Sequence, residues 1–216
     1  MADHDGSKRP GRYHHGALRE ALVSEALALI SAETLESLSL REVARRAGVS
    51  HAAVYRHFPD RAGLIAAVGT EGMWRLAAAL EKVEGDSEGR PSVERLMDLG
   101  AAYVQFAQQD RAHFRAMFAR EVAGKAGYPG LRAASDAAAS TLTRMIGEAV
   151  RVGEVPEKDA HEVALAVWSL VHGIAVLASD GQFSEGALSV SGSTEPEVTR
   201  LVRNAVTCLL AGYRSP

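Results

Sequence analysis

The chain has 216 residues, enough for one large or two small domains with a substantial core, and its 47% hydrophobic and 24% charged residues are an ordinary globular balance. A single cysteine, Cys208, excludes an intrachain disulfide framework and a cysteine-rich metal knuckle, and it fits a reducing compartment. The formal net charge of −3 is uneven: residues 1–70 hold 9 Lys+Arg against 8 Asp+Glu, and residues 71–216 hold 15 against 19.

The N-terminus is basic, but Glu20 and Glu25 interrupt the apolar pattern behind it, so it does not read as a signal peptide. Lys8–Tyr13 reads as a flexible arm. Adjacent helical residues point about 100° apart, so His14–His15 is not a ready bidentate metal site. Leu18, Leu22, Val23, Leu27 and Ile30 recur at helical spacing and predict a helix over 16–33. Ser39 with Glu42 three residues on is a capping-box pattern that opens a short helix, "LREVARRA". Gly48 ends that helix as a left-handed glycine would, and Ser50 caps a third, "HAAVYRH". Pro59 stops the third helix and Asp60 caps a long fourth, with Leu64, Val68, Leu76, Leu80 and Val83 on one face.

"EGDSEGRPS" at 84–92 is the clearest break. Helices follow near 92–109, 111–122, 131–152, 157–180 and 195–213, joined by glycine-rich connectors at 123–130 and 180–194. The longest uncharged run, Val163–Ser179, is marginal for a membrane span and carries His172 and Gly173, so it reads as a buried helix.

The stretch at 38–68 carries the chemistry. Leu40, Val43, Ala44 and Ala47 of one short helix face Val49, Val54 and Phe58 of the next, across a Gly-x-Ser turn. This is helix-turn-helix spacing, although spacing alone also fits an ordinary αα-hairpin. Beyond spacing, "GVSHAAVYRHFPDRAGL" resembles the TetR family of one-component transcriptional repressors, through Leu40, Val43, Ala44, Gly48, Val49, Ser50, Val54, Tyr55, His57, Phe58, Arg61 and Leu64. "YHHGALREAL" likewise resembles the lead-in to the first helix of many members.

The resemblance implies a three-helix DNA-binding head, a linking fourth helix and a helical ligand-binding and dimerisation body. It assigns DNA contact to Arg41, Tyr55, His57 and Arg61, with exposed salt-bridging arginines as the plain alternative for Arg41 and Arg61. Ser50 is placed to cap the recognition helix and offer amides to phosphate. His51, Ala52 and Ala53 form its first turn, with His51 the one polar base reader and the alanines small enough to approach base edges. Arg9 and Arg12 of the arm reach phosphate or the minor groove in this reading. Arg45 and Arg46 read as solvated or intrahelical pairs. Many members carry lysine where Arg61 stands and a polar residue at Ala52 or Ala53, so specificity here rests on few base contacts and on DNA shape.

In the second half, "WSLVHG" resembles the signature of a WHG-type subgroup. Trp168 and His172, four apart on one helix face, either pack as core or line an effector cavity, with Tyr103, Phe106, His113, Phe114, Met117 and Phe118 as further candidate walls. The helices near 157–180 and 195–213 form the expected dimer pair, the latter through Val198, Leu201, Val202, Ala205, Leu209 and Tyr213. Enzyme patterns fail: "HEVAL" has Leu165 where a zinc protease needs its second histidine, and no phosphate-cradling glycine loop occurs.

The sequence therefore reads as all-α, about nine helices. Residues 1–60 form the arm and helix-turn-helix domain, with the start of the fourth helix to about 68, and residues 61–216 form the ligand-binding and dimerisation body. The expected function is a ligand-responsive transcriptional regulator, a repressor that binds a palindromic operator as a homodimer and is released by a largely apolar small-molecule effector. The alternative is the same fold serving as a small-molecule or metal sensor with weak or no DNA binding, using His14, His15, His51 and His57. No catalytic residue, cofactor, metal or membrane partner is expected, and the expected location is cytoplasmic.

Overall fold

The computed structural model describes residues 15–183 and 195–214. Arg9, Arg12, His14 and most of the 180–194 connector lie outside the described residues. Among those described there are nine α-helices, three short 3₁₀ turns and no strand: α1 (His15–Ala32), α2 (Leu40–Arg46), α3 (His51–Tyr55), α4 (Arg61–Asp86), α5 (Ser92–Gln109), α6 (Arg111–Met117), α7 (Pro129–Arg151), α8 (Ala160–Ser179) and α9 (Glu195–Arg214). The chain divides into two compact units, Met1–Leu64 and Ile65–Pro216, with the boundary inside α4.

The N-terminal unit is built by its caps. Ser39 accepts the Glu42 amide and Ser50 accepts the Ala53 amide, each at 3.2 Å, which satisfies donors that the first helical turn leaves unpaired. Asp60 does the same for Gly63 at 2.7 Å and opens α4. The reciprocal arm of the predicted capping box is not made: the Glu42 carboxylate instead turns forward to Arg45 and Arg46. Gly48 carries φ 66°, the left-handed turn that an L side chain resists, and this bend brings α3 back against α2. Leu22, Ala26, Leu29 and Ile30 of α1 and Val43 of α2 are buried in this unit, as are Val54, Phe58 and Leu64.

In the C-terminal unit, α5 packs against α7, α8 and α9, and α8 packs against α9. Val163, Val167, Val171, Ala175 and Ala178 of α8 are buried, as are Val198, Val202, Val206 and Leu210 of α9. The span 157–179 is apolar enough by length and composition to cross a membrane, but its buried stripe is used inside this bundle. The bundle also encloses a charge: buried Arg95 of α5 pairs with Glu148 of α7. At Gly72, α4 approaches α6 so closely that an added Cβ would stand 2.8 Å from His113 Cβ and Met117 Sδ. The predicted helix over 111–122 is broken: Ala119 is extended (φ −59°, ψ 142°), and the 3₁₀ turn Arg120–Val122 that follows buries Val122.

Candidate functional site

The first candidate surface lies on α2 and α3. Arg41, Ser50, His51, Ala52 and Tyr55 are exposed, and Tyr55 shows 51% of its surface although it is a large aromatic residue. One helical turn separates His51 from Tyr55, and their rings meet edge to face with centroids 5.5 Å apart. This contact orders the outer face of a helix only five residues long. Glu42 pairs with Arg45 and Arg46, and the Arg45 hydrogen bonds hold its carboxyl down at about 2. Arg41 and Arg56 stand exposed outside that cluster. Arg56, the C-cap of α3, is a surface cation that the family resemblance does not single out.

Three other expected contact residues are less exposed. Ala53 is buried at 7% exposure, because its helical position sets its methyl beside Val54 in the core. Arg61 donates from Nε to the Leu38 carbonyl at 2.9 Å and from Nη2 to the Leu35 carbonyl at 2.5 Å. Its guanidinium thus ties the α1–α2 connection to the start of α4. His57 is half-buried just behind α3.

The second candidate site is a cavity of about 380 Å³ in the C-terminal unit. Met73, Leu76 and Leu80 of α4 line it, with Leu96, Leu99 and Tyr103 of α5, Ala138, Ala139 and Leu142 of α7, and Val167, Trp168 and Val171 of α8. Phe118 and Lys125 line it from the segment after α6. This is a predominantly apolar wall with few polar groups, the usual make-up of a small-molecule pocket.

One polar pair borders the cavity. The Tyr103 hydroxyl lies 2.9 Å from Nδ1 of His172. The direction follows the histidine tautomer: with Nδ1 bare, the hydroxyl donates to it and Nε2 carries the ring proton. Burial pushes the Tyr103 hydroxyl pKa well above its ordinary value, so it stays protonated and a donor. Burial, then the nearby Lys125 charge, lowers the His172 pKa and keeps the ring neutral.

Of the eight expected pocket residues, Tyr103, Phe118 and Trp168 line the cavity, whereas Phe106, His113, Phe114, Met117 and His172 do not. Phe106, Phe114 and Met117 are buried, and Met117 packs at the close approach of α4 and α6. The His172 ring is enclosed by Phe118 (4.4 Å between centroids), Trp168 (5.6 Å), Phe114 (5.6 Å) and Tyr103 (6.2 Å). Sequence reasoning missed Lys125, which lies in a connector that reads only as linker. It also missed the α4 and α7 walls. The apolar stripe of α4 was visible, but periodicity does not say what a stripe faces.

A family model described as bacterial regulatory proteins, tetR family, matches residues 22–68. A second, described as tetracyclin repressor-like, C-terminal domain, matches residues 96–205. The chain belongs to the tetR family of bacterial regulatory proteins. No curated protein sequence matches this tetR-family chain. Among solved structures, it is similar to a protein of unknown function from Rhodococcus sp. RHA1, at 32% identity and TM-score 0.75 over 95% of this chain and 100% of that one. Two further likenesses support the fold. PfmR, a TetR family transcriptional regulator from Thermus thermophilus, is 19% identical (TM-score 0.63, 88% of this chain and 97% of that one). The fatty acid degradation regulator FadR from Bacillus halodurans is 14% identical (TM-score 0.64, 97% and 100%). This tetR-family chain is therefore a DNA-binding transcriptional regulator, with its helix-turn-helix at α2–α3.

Proposed function

We propose that this regulator is a homodimeric repressor that holds a palindromic operator and is released when a small organic molecule enters the cavity of the C-terminal unit. The observation that carries the reading is the span of α4. This single helix starts at Arg61, in the unit that bears the helix-turn-helix, and its Met73, Leu76 and Leu80 form one wall of the cavity. A ligand that prefers one position of that wall shifts the population of α4 and thereby the DNA-binding state. In the head, Arg41, His51, Ala52 and Tyr55 are the contact residues of this reading, with Arg56 added, while Ala53 and Arg61 support them from within. Residues 1–64 act as the DNA-binding domain and the remainder as effector and dimer domain.

Dimerisation through α8 and α9 is supported by apolar surface left on α8: Val176 is 36% and Leu177 45% exposed. On α9, Val198 and Val202 are used in the unit's own core, so the pairing face narrows to Leu201, Ala205, Leu209 and Tyr213, all half-buried. The regulator works where its operator is, in the cytoplasm. For the sensor-only alternative, His14 lies outside the described residues, and the His51 ring packs edge to face against Tyr55. Sedimentation of the purified chain tests the dimer, and Leu177→Glu is expected to shift it towards monomer. A wild-type chain that sediments as a monomer at micromolar concentration would overturn the pairing.

A further inference from the structure

The cavity carries one feature that an apolar ligand does not explain. Lys125, on the short turn Lys125–Gly127, brings an ammonium to the polar edge of a mostly apolar wall, beside Arg132, Ser135, Asp136, Thr143 and His161. An ammonium has three protons to donate. Among the described residues one acceptor is given to it, Ser135 Oγ at 3.0 Å, and that hydroxyl sends its own proton to the Leu131 carbonyl. The Phe118 ring lies 5.6 Å away and offers its face rather than a counter-charge. No carboxylate of the described residues reaches ion-pairing distance. Asp136 acts on Lys125 from farther off, but it is exposed and sits 3.9 Å from the Arg132 guanidinium. The polar edge of the cavity thus holds two cations and one carboxylate. Burial lowers the lysine pKa, and the attraction of Asp136 only partly opposes it.

We propose that the cavity takes an amphipathic organic acid, its carboxylate held by Lys125 and Ser135 and its apolar body lying along α4, α5 and α8. This rests on the reading of the cavity as the effector site. A carboxylate fills the unmet donors of the ammonium with charge-assisted hydrogen bonds. A neutral ligand of the same shape leaves the ammonium short of partners, and a cationic one meets repulsion.

Calorimetry on the full chain with decanoate, 1-decanol and decylamine, each below its micellar concentration, separates these cases because only the head group changes. Decanoate is expected to bind about tenfold or more tightly than decanol, the scale of one charge-assisted hydrogen bond, with decylamine weakest. Lys125→Met is expected to erase the acid's advantage while decanol still binds, which shows the cavity intact. Lys125→Arg is expected to retain most of it. The proposal is overturned if decanoate fails to bind, if decanol equals it, or if Lys125→Met keeps the preference. Capture of DNA by the ligand-free wild-type chain reads the regulator role separately. Acid preference without DNA capture would sink that role alone, and DNA capture without acid preference would sink this inference alone.

Discussion

The Tyr103 hydroxyl of α5 and Nδ1 of His172 on α8 lie 2.9 Å apart, and the Trp168 ring, one turn before His172, stacks on the imidazole with centroids 5.6 Å apart. The spacing of Trp168 and His172 puts both on one helix face, and Tyr103 joins them there. Tyr103→Phe removes the hydroxyl and leaves Nδ1 without its partner. Urea unfolding should show a loss of about 1–3 kcal/mol, the cost of stranding a polar atom. A loss well under 1 kcal/mol would mean that water satisfies Nδ1 as well as Tyr103 does.

His172 gives that cluster a pH dependence. Its pKa is lowered on folding by burial and then by Lys125, so between the ordinary imidazole value of 6.5 and the folded value the unfolded chain binds more protons. The contribution is present above about pH 6.5 and is lost as pH falls through the folded value. An NMR titration of the His172 ring should give a midpoint below 6.5. A midpoint at or above 6.5 would contradict the buried, neutral assignment.

Gly48 isolates a purely conformational cost. An added Cβ there meets nothing within 4 Å, yet φ is +66°. Gly48→Ala should destabilise the N-terminal unit by about 1–2 kcal/mol without a clash, and Gly48→Asn by less, since Asn tolerates the left-handed region. Thermal melts of the two variants check the order. Equal costs would point to packing rather than backbone strain.

Gly72 is the opposite case, with an ordinary helical backbone and no room. Gly72→Ala must push His113 and Met117 away and should cost about 1–3 kcal/mol, the usual range for overpacking. A neutral effect in chemical denaturation would show that α4 and α6 part easily.

The head was legible in the sequence because its signals are local: Ser39, Gly48, Ser50 and Asp60 each act within a few residues of themselves. Helix existence was legible in the body for the same reason, through periodicity. The body's cavity was not. Lys125 reaches the wall only because α6 ends at Met117 and the chain turns at Ala119, a break that no strong punctuating residue announces. Phe106, Phe114 and Met117 matched a pocket pattern, but an aromatic stripe looks the same whether it faces a void or a neighbouring helix. Val198 and Val202 matched a dimer face by the same ambiguity, and the unit's own core took them. Ala53 and Arg61 match family contact positions, and what the sequence did not show is that Ala53 is buried and that the Arg61 guanidinium also bonds the Leu35 and Leu38 carbonyls.

This chain reads DNA through α2 and α3, and selection from a random DNA pool by the full chain at low salt tests that reading. Enrichment of a motif with two-fold symmetry is expected. Arg41→Ala and Tyr55→Ala, both at exposed positions, should weaken binding about tenfold while leaving the melting temperature unchanged, with a shallower salt slope for the arginine variant. No enrichment over the starting pool, or full binding by the Arg41→Ala, Tyr55→Ala double variant, would contradict it.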